Sequence, residues 1–370
     1  MLLAIETSCD ETAVAILDMA KPLSEYEDVK ELLLVDLVSS QMKLHEPFGG
    51  VVPELASRAH LEMLPKLVAE AFSKCGRTAT DISAVAVTRG PGLKGCLLVG
   101  LTFAKSFSFA RNVPLLPLHH IEGHLFAGEF MALSAPSSLP MLALVVSGGH
   151  TMLVHQPQFR DYKIIARTRD DAAGEAFDKC AALLGLPYPG GPALSNFAQN
   201  GDVGRFALPV GMPGDPTAFS FSGLKTAVLR LVEKEKRDSG SSVLTEQTVA
   251  DLAASIQGAI VKALVKKSIQ ACIELKPKTF LLTGGVASNE SLRAELIAAL
   301  GRMGIPFVVP ERRWCTDNAA MIGYLARRIM EHSQTKFSGG DWRSKNCLGP
   351  GVPLDVGALA RWPLDSLGAV

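Results

Sequence analysis

Apolar and polar positions fall in blocks along this chain. Leu2–Glu6 is an apolar run, Thr7-Ser8-Cys9-Asp10-Glu11 is polar, and Thr12–Leu17 is again apolar and β-branched, which predicts strand, turn, strand. The pattern is echoed by Leu142–Val146, Ser147-Gly148-Gly149-His150 and Thr151–Val154. A third variant, Thr279–Leu282 followed by Thr283-Gly284-Gly285, leads into a helix opening near Ser288. The spacing is too irregular for a solenoid. The repeated unit predicts two related lobes, each with a hairpin-edged sheet.

Helical periodicity fills the intervals. Glu54–Lys74 carries Leu55, Leu61, Leu64, Leu67, Val68 and Phe72, with Pro65 expected to kink or divide the helix. Further helices are predicted over Gly95–Arg111, Ala172–Leu184 behind an N-cap at Asp171, Phe221–Arg237, Glu246–Glu274 and Asn289–Met303. Another spans Asp317–Glu331 behind an N-cap at Thr316. Strands and helices mixed along the whole chain predict an α/β class. After Phe337, Ser338-Gly339-Gly340 and Gly349-Pro350-Gly351 predict a loop-rich tail.

Composition narrows this picture. A length of 370 residues suits two domains or one large α/β unit, and 48% apolar residues can fill its core. Lys plus Arg (37) equals Asp plus Glu (37), so bulk attraction to nucleic acid is excluded and any such contact needs a local patch or a partner. Seven scattered cysteines without a C-x-x-C pair suit a reducing compartment. Met1–Glu6 has neither the basic start nor the apolar length of a signal peptide. The charge-free stretches 130–159 and 180–201 are broken by prolines, so neither predicts a membrane helix. A soluble, cytoplasmic protein is expected.

Candidate chemistry sits in short strings. Gly90-Pro91-Gly92-Leu93-Lys94-Gly95 fits G-x-G-x-x-G, but no acidic residue lies about 20 positions on and Pro91 removes an amide donor. A glycine turn for close backbone approach is the better reading. No Walker-type phosphate loop is present. In His119-His120-Ile121-Glu122-Gly123-His124, a helix would put His120 and His124 on one face, as a metal-chelating pair or as surface and capping histidines. Glu122 would lie about 200° from His120 and about 160° from His124, too far round for the H-E-x-x-H protease scheme. Gly123 weakens the helix itself. Ser147-Gly148-Gly149 and Gly284-Gly285 allow a backbone amide to approach a phosphate or another bulky anion, as they allow ordinary hairpins. Asp10 and Glu11 form either a solvated hairpin tip or a pair that orients a metal–phosphate group or a water. Asp170–Lys179 reads as a capped helix with Glu175–Lys179 pairing. The basic clusters at Lys262, Lys266 and Lys267, and at Arg312 and Arg313, read as solvated faces.

Together these strings resemble one family. Ile5–Ala13, Gly49–Arg58, Gly90–Leu93, His119–His124 and Val146–Thr151 fall in the order of the universal tRNA N6-adenosine threonylcarbamoyltransferases, TsaD in bacteria. So do Asp171–Lys179 with Tyr188–Pro192, Phe219–Lys225, Gly284–Asn289 and Cys315–Asn318. The family was formerly described as a glycoprotein endopeptidase, which the position of Glu122 disfavours. The resemblance implies an actin-like, sugar-kinase-like (ASKHA) fold of two ribonuclease-H-like lobes around a nucleotide cleft. On that pattern, 1–115 plus 319–337 form the first lobe, 116–318 the second with the substrate and metal motifs, and 338–370 the tail.

Carried over residue by residue, the resemblance implies a metal held by His120, His124 and Asp317. One divalent ion per subunit is expected, iron(II) by family habit, with zinc or magnesium compatible with such ligands. Val145, Val146, Ser147, Gly148 and Gly149 align with the loop that meets the substrate. Asp178, Gly191 and Asn289 align with further contacts to an ATP- or AMP-type nucleotide or acyl-adenylate. The implied reaction moves the threonylcarbamoyl group from threonylcarbamoyl-AMP to the N6 amine of the adenosine just 3′ of the anticodon in ANN-decoding tRNAs, releasing AMP. Asp10 or Glu11 is a candidate to accept the amine proton. Implied partners are tRNA, an inactive TsaB-like paralogue and a small TsaE-like ATPase, with no membrane. A small-molecule kinase or carbamoyltransferase of the same fold, or a non-catalytic scaffold paralogue, remain the alternatives. The acidic insert 19–33 and the segment 333–356 depart from the family without touching the site motifs.

Overall fold

The computed structural model describes residues 1–131, 138–336 and 355–367. They form two compact units, one from Met1–His45, Val51–Ser137 and Thr316–Ser366, the other from Glu46–Gly50, Ser138–Cys315 and the C-terminal Leu367–Val370. In chain order the first unit holds β1 (Leu2–Glu6), β2 (Glu11–Leu17), α1 (Val29–Leu32), β3 (Leu33–Ser40), α2 (Met42–His45), α3 (Pro53–Cys75), β4 (Ala84–Gly90), α4 (Lys94–Arg111), β5 (Leu115–His119) and α5 (His120–Ala127). The second unit follows with β6 (Met141–Val146), β7 (Thr151–Gln158), β8 (Asp161–Thr168), α6 (Ala173–Leu183), α7 (Gly190–Ala198), β9 (Ala218–Phe219) and α8 (Ser222–Asp238). It continues with α9 (Glu246–Leu275), β10 (Thr279–Thr283), α10 (Glu290–Met303), β11 (Phe307–Val308) and α11 (Arg312–Cys315). The chain then returns to the first unit as α12 (Ala319–Lys336).

The two sheets share one topology. The first runs β3-β2-β1-β4-β5, and the second β11-β10-β6-β7-β8-β9. In each, three consecutive antiparallel strands are extended on the side of the first by two parallel strands, giving β3-β2-β1-β4-β5 and β8-β7-β6-β10-β11. The repeated strand-turn-strand pattern in the sequence is this shared meander.

Alternation along the first sheet assigns its faces. Leu3, Ile5, Val14, Ile16, Val85 and Val87 pack with Leu64, Leu67, Val68 and Ala71 of α3 and with Leu101 and Ala104 of α4. The opposite face is lined by small residues, Ala4, Ala13, Ala15, Ala84 and Ala86, all buried. Those alanines let α12 lie close, and a Cβ on its Gly323 would come within 2.3 Å of Leu17 and 3.1 Å of Ala4. In the second unit Leu142, Leu144, Val146, Phe280 and Leu282 join a core filled from α6 through α10. Helix α9 is long and apolar enough to cross a membrane by length and composition, yet it is the core helix of this unit, with Leu252, Ile256, Ile260 and Leu264 fully buried.

Several local expectations change. The units divide at 137/138 and 315/316, not at 115/116 and 318/319, so His120, His124 and Asp317 belong to the first unit. The reason is that β5 and α5 pack with β4 and α12, and contacts follow packing rather than motif order. Helix α3 runs unbroken through Pro65, because burial of Leu64, Leu67 and Val68 outweighs one lost hydrogen bond. Asp171 does not cap α6; Thr151 Oγ1 accepts from Ala173 N at 2.8 Å, leaving Asp171 to pair with Lys179 at 2.8 Å. Asn318, not Thr316, caps α12, its Oδ1 accepting from Met321 N at 2.8 Å. Most of the predicted tail, and the segment 337–354, lies outside the described residues. The described part up to Ser366 belongs to the first unit, where Leu359 N donates to Arg89 O at 2.9 Å. A Cβ at Gly90 would sit 2.0 Å from Leu359 O and one at Gly92 2.6 Å from Ser8 O, which is why that string needs glycine. The insert 19–33 is held by Arg327, whose guanidinium donates to the carbonyls of Asp18 and Lys21.

Candidate functional site

The first unit builds its chemistry at the start of two helices. His119 caps α5, its Nδ1 accepting from Ile121 N at 3.1 Å and Glu122 N at 3.3 Å, and its Nε2–H donates to the Trp362 carbonyl at 2.9 Å. The capped helix presents His120 and His124 one turn apart, their rings edge to face at 4.8 Å. Gly123, expected to weaken this helix, is instead its contact with α12; a Cβ there would meet Ile322 at 2.9 Å and Met321 at 3.2 Å. That approach brings α5 beside the residue preceding α12. Asn318 Nδ2 donates to Thr316 O at 2.8 Å and tightens the turn that projects Asp317.

The three side chains then converge. Asp317 Oδ1 lies 3.1 Å from His124 Nε2 and 3.4 Å from His120 Nε2. One ligand atom from each of His120, His124 and Asp317 falls within 4.8 Å of the others, with both histidines buried and Asp317 half-buried. Burial opposes charge on His120, but the Asp317 and Glu6 carboxylates outweigh it and hold its pKa well above the ordinary histidine value. Burial likewise opposes ionisation of Asp317, yet the imidazoles hold its carboxyl well below the usual range. Two imidazole nitrogens and a carboxylate oxygen thus face one point. Two Nε2 donors and one carboxylate match the nitrogen–oxygen set that iron(II) and zinc accept, so the residues fit a divalent ion.

Glu6, at the end of β1, is fully buried behind this cluster. Its Oε1 accepts from Ser8 N at 2.5 Å, and its Oε2 from Thr88 Oγ1 at 2.5 Å and from His120 Nδ1 at 3.0 Å. The Ser8 hydroxyl lies 3.2 Å from the same Nδ1. The sequence assigned no role to either Glu6, the end of the first strand, or His119, the first residue of the histidine string.

Asp10 and Glu11 occupy the adjoining hairpin and are not a free solvated tip. Asp10 O accepts from Gln41 N at 2.9 Å, and His60 Nε2–H donates to Cys9 O at 2.9 Å while its Nδ1 accepts from Thr12 Oγ1 at 2.8 Å. Burial first, then the negative charges of Asp10 and Asp317, push the Glu11 carboxyl well above the usual carboxylate range. Glu122 is fully buried within α5.

The second unit gathers the glycine strings. Val145 and Val146 are fully buried in β6, so their side chains belong to the core and only their backbone supports the loop. Ser147 closes the turn, its N donating to His150 O at 2.8 Å and its Oγ accepting from His150 N at 3.1 Å. Gly148 and Gly149 are exposed, with open space where a Cβ would point. Two further glycines brace this loop: a Cβ on Gly174 would meet Ser147 O at 2.7 Å, and one on Gly284 would meet Val146 O at 2.3 Å. Asp178 and Gly191 are brought together, Gly191 N donating to Asp178 Oδ1 at 3.1 Å. Asn289 caps α10 through Oδ1, at 2.9 Å from Leu292 N, and its Nδ2 donates to Gln257 Oε1 at 2.8 Å and Ser195 Oγ at 3.0 Å. A ligand contact at Asn289 therefore competes with bonds it already makes.

Comparison with known proteins agrees with these motifs. The model of the tRNA N6-adenosine threonylcarbamoyltransferase family matches residues 33–324. A protein of that name from Synechococcus sp. (strain JA-3-3Ab) is 49% identical over 369 residues, covering 100% of this chain and 94% of the relative. Another from Albidiferax ferrireducens is 46% identical over 371 residues, covering 100% and 99%. Among solved structures, full-length HypF in its phosphate- and nucleotide-bound form aligns over 89% of this chain and 55% of its own, at a TM-score of 0.55 and 12% identity. HypF from T. kodakarensis aligns over 90% and 48%, at 0.53 and 16%. At such identities the likeness concerns the fold alone, which is of the actin-like, sugar-kinase-like class.

Proposed function

The chain belongs to the tRNA N6-adenosine threonylcarbamoyltransferase family, and from that premise we propose how its residues divide the work of that reaction. It is an acyltransferase that modifies tRNA, moving a threonylcarbamoyl group to the N6 amine of adenosine. The observation that carries the reading of its site is the convergence of His120 Nε2, His124 Nε2 and Asp317 Oδ1 beside a buried carboxylate. In our reading these three hold one divalent ion, iron(II) by family habit. When bound, the ion supplies Lewis-acid polarisation of the carbamoyl group or a point of attachment for the threonyl part.

The chain's own residues do the rest. Gly148 and Gly149 are exposed and have no Cβ to hold a ligand away, which suits their loop to meet a phosphate or a developing oxyanion. Asp178, turned onto Gly191 N, and Asn289 are read as the remaining contacts to the adenylate. Because the adenosine amine is a poor nucleophile, placing it against the carbonyl carbon contributes as much as proton transfer. Asp10 or Glu11, neighbours in the hairpin after β1, is read as the acceptor for the departing proton. AMP is the leaving group. Equal numbers of acidic and basic residues support a reading in which partner subunits, a TsaB-like paralogue and a TsaE-like ATPase, help to hold the tRNA in the cytoplasm.

The test is mass spectrometry of nucleosides from an unmodified ANN-decoding tRNA. The tRNA is incubated with the protein, those partners, threonine, bicarbonate, ATP and an adenylate synthase. Threonylcarbamoyladenosine forms with the wild type and is lost with His120→Ala combined with His124→Ala. Product from both would sink the metal assignment, and product from neither would favour a scaffold or a small-molecule kinase.

A further inference from the structure

We propose that Glu6 is the positioning carboxylate of the metal centre: it keeps the His120 proton on Nδ1 and so presents Nε2 as the bare ligand atom. This rests on the reading of His120, His124 and Asp317 as ligands.

The argument starts from what a buried carboxylate requires. Glu6 has no exposed surface, and a carboxyl group buried there is unfavourable unless hydrogen-bond donors surround it. Ser8 N, Thr88 Oγ1 and His120 Nδ1 are its donors, and among the described residues no lysine or arginine pairs with it. Its one ionisable partner is therefore an imidazole whose other nitrogen faces Asp317 at 3.4 Å. A carboxylate behind a ligating histidine fixes the tautomer and ring orientation and makes the far nitrogen a stronger donor to a metal. Fold geometry supports the same direction, because Ser8 N and Thr88 Oγ1 hold the carboxylate from the turn after β1 and from β4, leaving the side facing His120 for the ring.

The two histidines are consequently unequal. His124 Nδ1 is buried without a hydrogen-bond partner among the described residues, so no hydrogen bond on that side fixes its ring, and Asp317 meets it at Nε2. His120 is the pre-oriented ligand, and Glu6 is the reason.

The experiment uses the full-length protein, stripped of metal and titrated with Co²⁺ against a chromophoric chelator, for the wild type, Glu6→Gln and His124→Ala. The wild type takes up one Co²⁺ with visible d–d absorption. Glu6→Gln, of the same shape without the charge, binds Co²⁺ about 10–100-fold more weakly with an altered spectrum. A Glu6→Gln protein with wild-type Co²⁺ affinity and spectrum overturns the positioning role while leaving the ligand set intact. A wild type that takes up no Co²⁺ retires the ligand set and the proposal together. If the Gln variant does not fold, histidine ¹⁵N shifts of the metal-loaded wild type decide: a His120 proton on Nδ1 supports the proposal, and one on Nε2 overturns it.

Discussion

Replacing Gly284 by alanine tests the brace behind the Ser147–Gly149 loop. Gly284 has φ 94° and ψ 165°, a region that only glycine enters without strain. Holding alanine there costs about 1–3 kcal/mol. The added Cβ would also lie 2.3 Å from Val146 O, 2.7 Å from Val146 C and 3.1 Å from Val146 N, all backbone atoms of β6 that cannot swing aside. Overpacking of that kind costs a further ~1–3 kcal/mol, about 4 kcal/mol in total. For a unit of this size the loss corresponds to a fall in melting midpoint of roughly 8–16 °C, read by circular dichroism. Because Val146 leads directly into Ser147, whatever strain the fold absorbs displaces the loop, so KM for the adenylate should rise more than kcat falls. Gly301→Ala is the matched control, at an exposed position of α10 with open space for the methyl group, and should stabilise by about 0.5–1 kcal/mol. A Gly284→Ala protein melting within 2 °C of the wild type with unchanged KM would refute the close approach.

Further expectations follow from other contacts. Asp170 accepts from Ser220 Oγ, Phe221 N and the N and Oγ of Ser222, and although burial opposes it, these bonds lower its carboxyl pKa. Since the folded pKa is depressed, the stabilisation is present above the unfolded value near 4 and fades as pH falls through the folded value. Asp170→Asn should therefore cost about 1 kcal/mol at pH 7, discounted for its exposure, and progressively less as pH falls below about 4; a cost that does not change with pH in denaturant titrations would contradict this. Trp362 packs tilted against His119, ring centres 5.0 Å apart, and lies under Arg89 at 5.3 Å, so Trp362→Ala and His119→Ala should each destabilise the first unit and couple by at least ~0.5 kcal/mol in a double-mutant cycle. Strict additivity would separate them. Burial pushes the thiols of Cys180 and Cys272 up to about 12, so peptide mapping after mild alkylation of the native protein at pH 8 should find both unmodified.

Much of this architecture is legible in the residue pattern, for identifiable reasons. Leu2–Glu6, Leu142–Val146 and Thr279–Leu282 are continuous apolar runs because central strands are covered on both faces. The pairing of His120 with His124 was legible because the two share a helical face, while the approach of Asp317, the third proposed ligand, is set by α5 packing on α12 and was reached only by resemblance. Local rules failed where tertiary partners supply what sequence neighbours do not. Thr151 caps α6 from another element, and Gly123 serves a helix contact rather than a helix break. Glu6 was invisible because a carboxylate at a strand end looks the same whether it meets water or an imidazole.

The order in which the chain emerges from the ribosome gives the return of α12 a further meaning. The stretch Ser138–Cys315, which makes nearly all of the second unit, is contiguous and can fold as it is synthesised. The first unit cannot finish, since the alanine face of its sheet stays uncovered until Lys336 has been added. At ~5–20 residues per second that wait after β5 is roughly ten to forty seconds. The older half of the molecule is thus the later to mature, and the uncovered alanine face of its finished sheet is the surface a chaperone would meet first. His120 and His124 likewise pass that interval without Asp317, so their cluster closes only near the end of synthesis.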